Sequence, residues 1–160
     1  MLGKVVLLFV TAVLLALTAG RAFWVWVGES PIGMAGATYV DFFQTLDRRI
    51  AIPIAVIGIF GPVFAGASAA VYRLNRPMFF CLIAACVLGV IGVLVTVLVS
   101  VPINEQIATW DPRALPPGYE AVLRQWWNWH ALRLVTSVGA MCLTFIALLA
   151  RGNERVGPAV

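Results

Sequence analysis

The sequence contains little charge and little of the polar chemistry on which soluble enzymes depend. Only 11% of its 160 residues are charged, whereas 62% are hydrophobic, and the mean hydropathy is +0.97. Soluble globular domains carry about 25% charged residues, so this chain lacks the side chains needed to cover its surface in water. A water-soluble domain is therefore excluded, and the length predicts a single domain that uses the bilayer as part of its solvent.

Histidine, cysteine and the standard catalytic signatures are also scarce. The chain has one histidine, His130, and three cysteines within apolar runs, Cys81, Cys86 and Cys142. The odd cysteine count without a C-x-x-C pair argues against a disulfide framework, and this ligand set argues against a protein-held metal site. H-E-x-x-H, G-x-S-x-G, P-loop and G-x-G-x-x-G signatures are absent. We expect no metal and no cofactor, with a haem on the single histidine as the weaker alternative.

Four apolar runs are each long enough to cross a bilayer as a helix. They cover residues 5–27, 50–71, 78–101 and 131–150. A helix needs about 20 residues to span the hydrocarbon core, and the first run is too long for a signal peptide, so we expect it to be retained. Small residues recur at every fourth position in the first three runs, which lets helices pack closely in lipid. The sequence predicts an all-α four-transmembrane-helix bundle over residues 1–160, and the same small residues would also serve a homo-oligomer.

The connections between these runs are very unequal in length. Residues 72–77 join the second and third runs, whereas residues 28–49 and 102–129 form two long segments on the side opposite both termini. Thr38 followed by Asp41 resembles a capping box that opens a helix, and Pro117 suits the start of a helix that continues into the fourth run. We therefore expect the long segments to form a structured lid over one end of the bundle.

The basic residues lie mostly at the ends of the apolar runs, and no basic stripe suited to nucleic acid exists. The side that holds the termini and the short connection carries Lys4, Arg73, Arg76, Arg151 and Arg155. The long segments carry fewer basic residues over a greater length, namely Arg48, Arg49, Arg113 and Arg124. Because basic residues concentrate on the cytoplasmic side, we predict a plasma-membrane protein with both termini in the cytoplasm.

The densest group of polar and aromatic residues opens the fourth run. Trp126, His130 and Arg133 have the i, i+4, i+7 spacing that places side chains on one helix face. Imidazole suits proton transfer near neutral pH, and an adjacent guanidinium would keep it neutral and stabilise an oxyanion. Trp127 is expected to point elsewhere and, with Trp129, to fit an interfacial aromatic belt. The structural alternatives are a hydrogen bond from His130 to the lid and an Arg133 that snorkels to the headgroups.

Further polar residues on the same side of the membrane would close a pocket over His130. They are Arg21, Asp41, Gln44, Asp47 and Asn104. Arg21 lies near the outer boundary of the first run, where ionisable groups usually face the bundle interior or snorkel. Arg21, Asp41 and Gln44 are our candidates for substrate binding, although Asp41 would also serve as a helix cap, Asp47 as part of a solvated face, and Asn104 as a cap.

The segment V-P-I-N-E-Q-I-A-T-W-D-P at residues 101–112, with the W-x-x-x-H-x-x-R pattern that follows it, resembles the anthrone oxygenase-like family. The family pattern is V-N or P-x-N, then I-A-x-W, then W-x-x-x-[NH]-x-x-R at the start of the last helix. Its matching positions here are Asn104, Ile107, Trp110, Trp126, His130 and Arg133. The four-span layout and the total length agree with the family as well, so the resemblance covers most of the chain.

The resemblance implies an oxygenase or oxidoreductase, because characterised fungal relatives are said to oxidise anthrones to anthraquinones with dioxygen and no bound cofactor. His130 would take a proton from an activated C–H group of a phenolic substrate. Arg133 with Asn104 would stabilise the enolate, while Trp110 and Trp126 would stack on the ring. The alternatives are a non-enzymatic bundle that binds membrane lipid, a quinone-like ligand or a partner helix, and a haem- or metal-bearing redox protein.

Overall fold

The computed structural model describes residues 2–153, which form five α-helices and one π-helical turn. The elements are α1 (Leu2–Gly28), α2 (Gly36–Val71), α3 (Arg76–Val95), the π turn (Thr96–Ser100), α4 (Val101–Ala108) and α5 (Tyr119–Asn153). The segments long and apolar enough to cross a bilayer are Leu2–Gly28, Gly36–Val71, Arg76–Ala108 and Tyr119–Arg151. The predicted all-α bundle of four spanning helices is confirmed, and the chain is an integral membrane protein.

The spanning helices form a ring in which α1 contacts α2 and α5, and α3 contacts the same two helices. Their closest approaches use glycine. A Cβ atom added at Gly89 would lie 2.9 Å from Cβ of Pro62, and one added at Gly61 would lie 3.0 Å from Cδ2 of Leu15. In lipid, helices associate through close van der Waals packing rather than hydrophobic burial. The small-residue rows in the sequence are therefore used, at least in part, inside the bundle.

Both ends of the bundle can be assigned from contacts between distant residues. The Tyr72 hydroxyl donates to the Lys4 carbonyl at 3.2 Å, so the turn between α2 and α3 lies at the same end as the N-terminus. At the opposite end the Tyr119 ring lies against Gly36, at the start of α2. The C-terminal residues from 154 onward, including the basic Arg155, lie outside the described residues.

The segments predicted to form a lid are largely helical extensions of the spans, and a lid made of loops is not confirmed. Only residues 29–35 and 109–118 are non-helical at that end. The capping prediction was wrong, because α2 begins at Gly36 and its N-cap, Ala35, makes no side-chain cap hydrogen bond. The extensions and loops instead pack into one apolar cluster that includes Tyr39, Phe43 and Trp126.

Candidate functional site

A cavity of about 300 Å³ lies between the four spanning helices. Its walls carry irregular helical backbone on two sides. On α2, Ile54 and Gly58 line the cavity between two prolines, Pro53 and Pro62, which each remove a helix hydrogen bond and favour a bend. Across from α2, the π turn contributes Thr96 and Val97, and such turns are frequent at functional sites. The prolines and the π turn therefore lie beside the cavity on two of its walls.

The cavity is apolar toward the middle of the bundle and polar toward the end that holds residues 29–35 and 109–118. Leu15, Pro62, Gly89 and Ala140 line the apolar part, close to where α2 packs tightly on its neighbours. The charged, amide and imidazole side chains of the lining come from all four spanning segments and the loop after α1, and they are Arg21, Glu29, Asp47, Asn104, His130 and Arg133. Hydroxyl groups are added by Thr18, Thr96 and Ser137. A ligand with an apolar body and one polar or anionic group matches this distribution.

His130 is almost fully buried and both of its ring nitrogens have partners. Its Nδ1 lies 2.9 Å from Nη2 of Arg133, and its Nε2 lies 3.0 Å from the carbonyl oxygen of Ala22. A guanidinium only donates and a carbonyl only accepts, so Nδ1 accepts and the proton is on Nε2. The partners therefore define a neutral imidazole with one tautomer. The predicted hydrogen bond to a lid is replaced by one to the backbone of α1.

The predicted Trp126, His130 and Arg133 face is present as a contact group. The rings of Trp126 and His130 are nearly parallel, at an interplanar angle of 7° and a centroid distance of 5.4 Å. The Arg133 guanidinium carbon lies 5.6 Å from the Trp126 ring centroid, which is within cation–π range. All three residues line the cavity.

Trp127 does not point away from this group as the sequence analysis expected. It is buried, its ring centroid lies 5.8 Å from that of His130, and it stacks on Trp26 of α1 at 4.8 Å. Trp126 and Trp127 precede His130 by four and three residues, and both spacings make neighbours on a helix surface, so both rings reach the imidazole. Trp129, by contrast, is 37% exposed, which agrees with a place in an interfacial belt.

Arg133 is a cation without a carboxylate partner among residues 2–153. Its Nε atom is buried and has no hydrogen-bond partner in that part of the chain, and no acidic oxygen lies within 4.0 Å of its guanidinium. Burial of an unpaired charge and an unsatisfied donor is costly. An anionic group bound in the cavity would supply the charge partner that the guanidinium lacks.

Arg21, the other cation that lines the cavity, is neutralised by Glu29. The two side chains form a bidentate ion pair with distances of 2.7 and 2.9 Å, and Glu29 is only 6% exposed. The sequence analysis missed Glu29, although an arginine inside a membrane span should prompt a search for a nearby acid. The pair leaves Arg133 as the cavity cation with no acidic partner in the described residues.

Asp47 and Asn104 connect α2, α4 and α5. The Asn104 amide nitrogen donates to Oδ1 of Asp47 at 3.0 Å, and Nε1 of Trp126 donates to Oδ1 of Asn104 at 2.8 Å. Asn104 is therefore a link in a hydrogen-bonded chain rather than a helix cap. Asp47, for which the sequence left open a pocket over His130 or a solvated face, lines the cavity.

Three residues predicted to bind substrate lie away from the cavity lining. Asp41 is exposed. The Gln44 amide nitrogen donates to the carbonyls of Ile107 and Trp110 at 2.9 Å each, so it holds the end of α4. Trp110 packs against the apolar cluster at that end of the bundle. Gln44 and Trp110 thus serve the packing between α2 and the end of α4, and Asp41 lies on the exposed face of α2.

The fold and the site together define an integral membrane bundle with a partly open cavity that carries an unpaired cation at its polar end. The family model described as anthrone oxygenase matches residues 49–143. The match covers more than half of the chain, so the chain belongs to the anthrone oxygenase family. Comparison with curated proteins and with solved structures gave no match. The matched stretch includes Asn104, His130 and Arg133, whereas Asp47 precedes it.

Proposed function

We propose that the chain is a membrane oxygenase of the anthrone oxygenase type, which oxidises a small aromatic or phenolic substrate with dioxygen. The observation that carries the proposal is the unpaired Arg133 guanidinium at the polar end of an otherwise apolar cavity. Such a group is suited to stabilise the negative charge that develops on oxygen when a phenolic ring system becomes an enolate. Membership of the family supports the same reaction class.

The size and lining of the cavity favour a flat, mostly apolar substrate. A volume of about 300 Å³ is at the lower end of the range for small-molecule sites, roughly 300–1,000 Å³. The ring system would lie among Ile54, Gly58 and Val93, and its oxygen substituent would face Arg133. An apolar interior also admits dioxygen.

The proposed reaction oxidises a ring CH₂ group to a carbonyl. One C–H proton leaves to a base, and the electron pair stays in the ring system as an enolate. The enolate carbon is oxidised by dioxygen and forms a C–O bond. The peroxide takes up one proton from water, and the O–O bond then breaks as the second hydrogen leaves the carbon as a proton, so that one oxygen atom becomes the carbonyl and the other leaves as water. The protein contributes positioning and electrostatic stabilisation, and the absence of a cofactor remains our prediction.

In this proposal His130 positions Arg133. Its Nδ1 lone pair already accepts the hydrogen bond from Arg133, and its Nε2 proton is donated to Ala22. His130 would act as the proton acceptor, as the sequence predicts, only if Arg133 first released Nδ1. The stack of His130 on Trp126 keeps the guanidinium aimed at the cavity.

The test is oxygen uptake and quinone absorbance with an anthrone, using protein purified in detergent. We expect Arg133→Gln to lower kcat about 10²–10³-fold, the usual effect of removing an oxyanion donor. Arg133→Lys, which keeps the charge without the planar fork, should be intermediate. Arg124→Gln changes an exposed arginine on the same helix and serves as the matched control. Wild-type protein that gives no anthrone-dependent oxygen uptake would contradict the proposal.

The second candidate is a non-enzymatic bundle that binds a quinone or a lipid, which the mainly apolar lining of the cavity favours. Measurements on the same detergent-purified protein distinguish the oxygenase from the non-enzymatic binding protein. Quenching of tryptophan fluorescence by a quinone without turnover of any anthrone would favour binding alone, because Trp126 lines the cavity. A Soret band in the purified protein would indicate haem and would contradict the cofactor-independent mechanism.

A further inference from the structure

Asp47 lies between the main cavity and a second, smaller pocket. It lines both spaces, as do Phe43 and Asn104. The second pocket has a volume of about 70 Å³ and is also lined by Arg48 and Ala108, which are exposed. A carboxylate at this position faces the substrate space on one side and a route toward water on the other.

One oxygen of the Asp47 carboxylate accepts a hydrogen bond, and the other accepts none from the described residues. Its Oδ1 accepts the hydrogen bond from Asn104, and no residue between positions 2 and 153 donates to Oδ2. No cation of that part of the chain lies within 4.0 Å of this carboxylate. A base needs a lone pair that can reach the proton it removes, and Oδ2 of Asp47 offers one in the resting arrangement.

The other titratable groups that line the cavity are already engaged. Both carboxylate oxygens of Glu29 accept hydrogen bonds from Arg21. The Nδ1 lone pair of His130 accepts from Arg133, while Arg133 itself has only donors to offer. Among the described residues that line the cavity, Asp47 is therefore the titratable group with an uncommitted acceptor.

We infer that Asp47 is the catalytic base that removes the substrate C–H proton, an inference that rests on the proposed oxygenase function. The C–H bond breaks, the proton moves to Oδ2 of Asp47, and the electron pair remains on the substrate as an enolate whose oxygen faces Arg133. Asn104 holds the carboxylate through Oδ1 and is itself held by Trp126. The proton then leaves through the second pocket, past Arg48, to water.

The test compares Asp47→Asn with Asp41→Asn, which changes an exposed aspartate on the same helix. With an anthrone as substrate, Asp47→Asn should lower kcat about 10²–10⁴-fold, the usual contribution of a general base, and Asp41→Asn should leave it unchanged. The kinetic isotope effect on kcat, measured with a substrate deuterated at its CH₂ group, should be larger in Asp47→Asn than in wild type. Proton removal limits the rate in the variant.

A pH series adds a readout that a purely structural role would not produce. As the pH rises and the anthrone ionises in solution, the substrate arrives as the enolate and the base is bypassed. After subtraction of the enzyme-free rate, the difference in kcat between wild type and Asp47→Asn should therefore shrink, whereas the loss in Arg133→Gln should persist. A deficit in Asp47→Asn that stays constant over this range would overturn the inference.

Asp47→Glu is the control for misfolding as the cause of lost activity. It keeps the carboxylate and should retain part of the activity lost in Asp47→Asn. Thermal unfolding in detergent compares the stability of all the variants. Wild-type turnover with equal rates in Asp47→Asn and Asp41→Asn overturns the role of Asp47 alone. A wild-type protein without any anthrone oxidation overturns the oxygenase proposal and this inference with it.

Discussion

At the scale of single residues, His130 joins α5 to α1 through its hydrogen bond to the Ala22 carbonyl, and its other ring nitrogen is bonded to Arg133 on α5 itself. We predict that His130→Phe keeps the aromatic stack with Trp126 but removes the bond to α1 and leaves Nη2 of Arg133 without its acceptor. Each unsatisfied buried group costs about 1–3 kcal/mol, so the free energy of unfolding in detergent should fall by at least that amount. Trp129→Phe, at a more exposed position on the same helix, should change it by less than about 0.5 kcal/mol.

Activity measurements on two His130 variants distinguish a role of His130 in orienting Arg133 from its contribution to stability. His130→Phe should lower kcat with an anthrone, and His130→Asn should recover part of the loss if its amide oxygen accepts from Arg133. Full activity in His130→Phe would show that Arg133 does not need the imidazole to hold its orientation.

How much of the site the sequence predicts depends on the distance between its members along the chain. The spacing of Trp126, His130 and Arg133 on one helix was enough to predict that they share a face. The pairs Arg21–Glu29 and Asp47–Asn104 were not predicted, because the first lies across a helix end and the second joins two helices. Neither pair leaves a periodic pattern in the sequence, and both depend on how the helices pack.

At the scale of helices, α2 lines the cavity with Gly58, and a Cβ atom added there would meet nothing within 4 Å. We predict that Gly58→Leu fills the space without a loss of stability, since leucine has the higher helix propensity by roughly 0.8 kcal/mol. The KM for an anthrone should rise at least about tenfold, equivalent to a loss of about 1.4 kcal/mol of binding.

The matched control for this substitution is Gly20→Leu. Gly20 also has open space around it, but it is exposed and absent from the cavity lining. Steady-state kinetics should therefore show a raised KM only in Gly58→Leu. An equal KM in both variants would mean that the substrate does not occupy the space between α2 and the π turn.

The spanning segments were predictable from hydropathy, and Pro117 predicted the start of the helix that continues into the fourth span, which begins at Tyr119. For α2, hydropathy placed the span from residue 50 and Thr38 predicted a helix before it, whereas the structure has one continuous helix α2 from Gly36. Its first part is amphipathic and packs through Tyr39 and Phe43 against the other helix extensions. Pro53, expected in the first turn, is consequently interior to the helix, and the π turn leaves no signature in composition.

At the scale of the whole molecule, the polar end of the cavity lies at the end of the bundle opposite the start of α1 and the end of α5. The Tyr72 hydrogen bond to Lys4 places the short turn with the N-terminus. Arg21, Asp47 and His130 lie toward the other end, near residues 29–35 and 109–118. A substrate or a released proton would therefore exchange with the side of the membrane away from the termini.

We predict that the termini and the turn at residues 72–75 face the cytoplasm, because basic residues are densest there. The test uses a variant in which the free cysteines Cys81, Cys86 and Cys142 are replaced by alanine. Single cysteines are then introduced as Leu74→Cys and Arg113→Cys, both at exposed positions. In intact bacterial cells, a membrane-impermeant maleimide should label Arg113→Cys, and Leu74→Cys only after permeabilisation. The reverse pattern would place the polar end of the cavity toward the cytoplasm, and the proton released through the pocket beside Asp47 would then enter the cell.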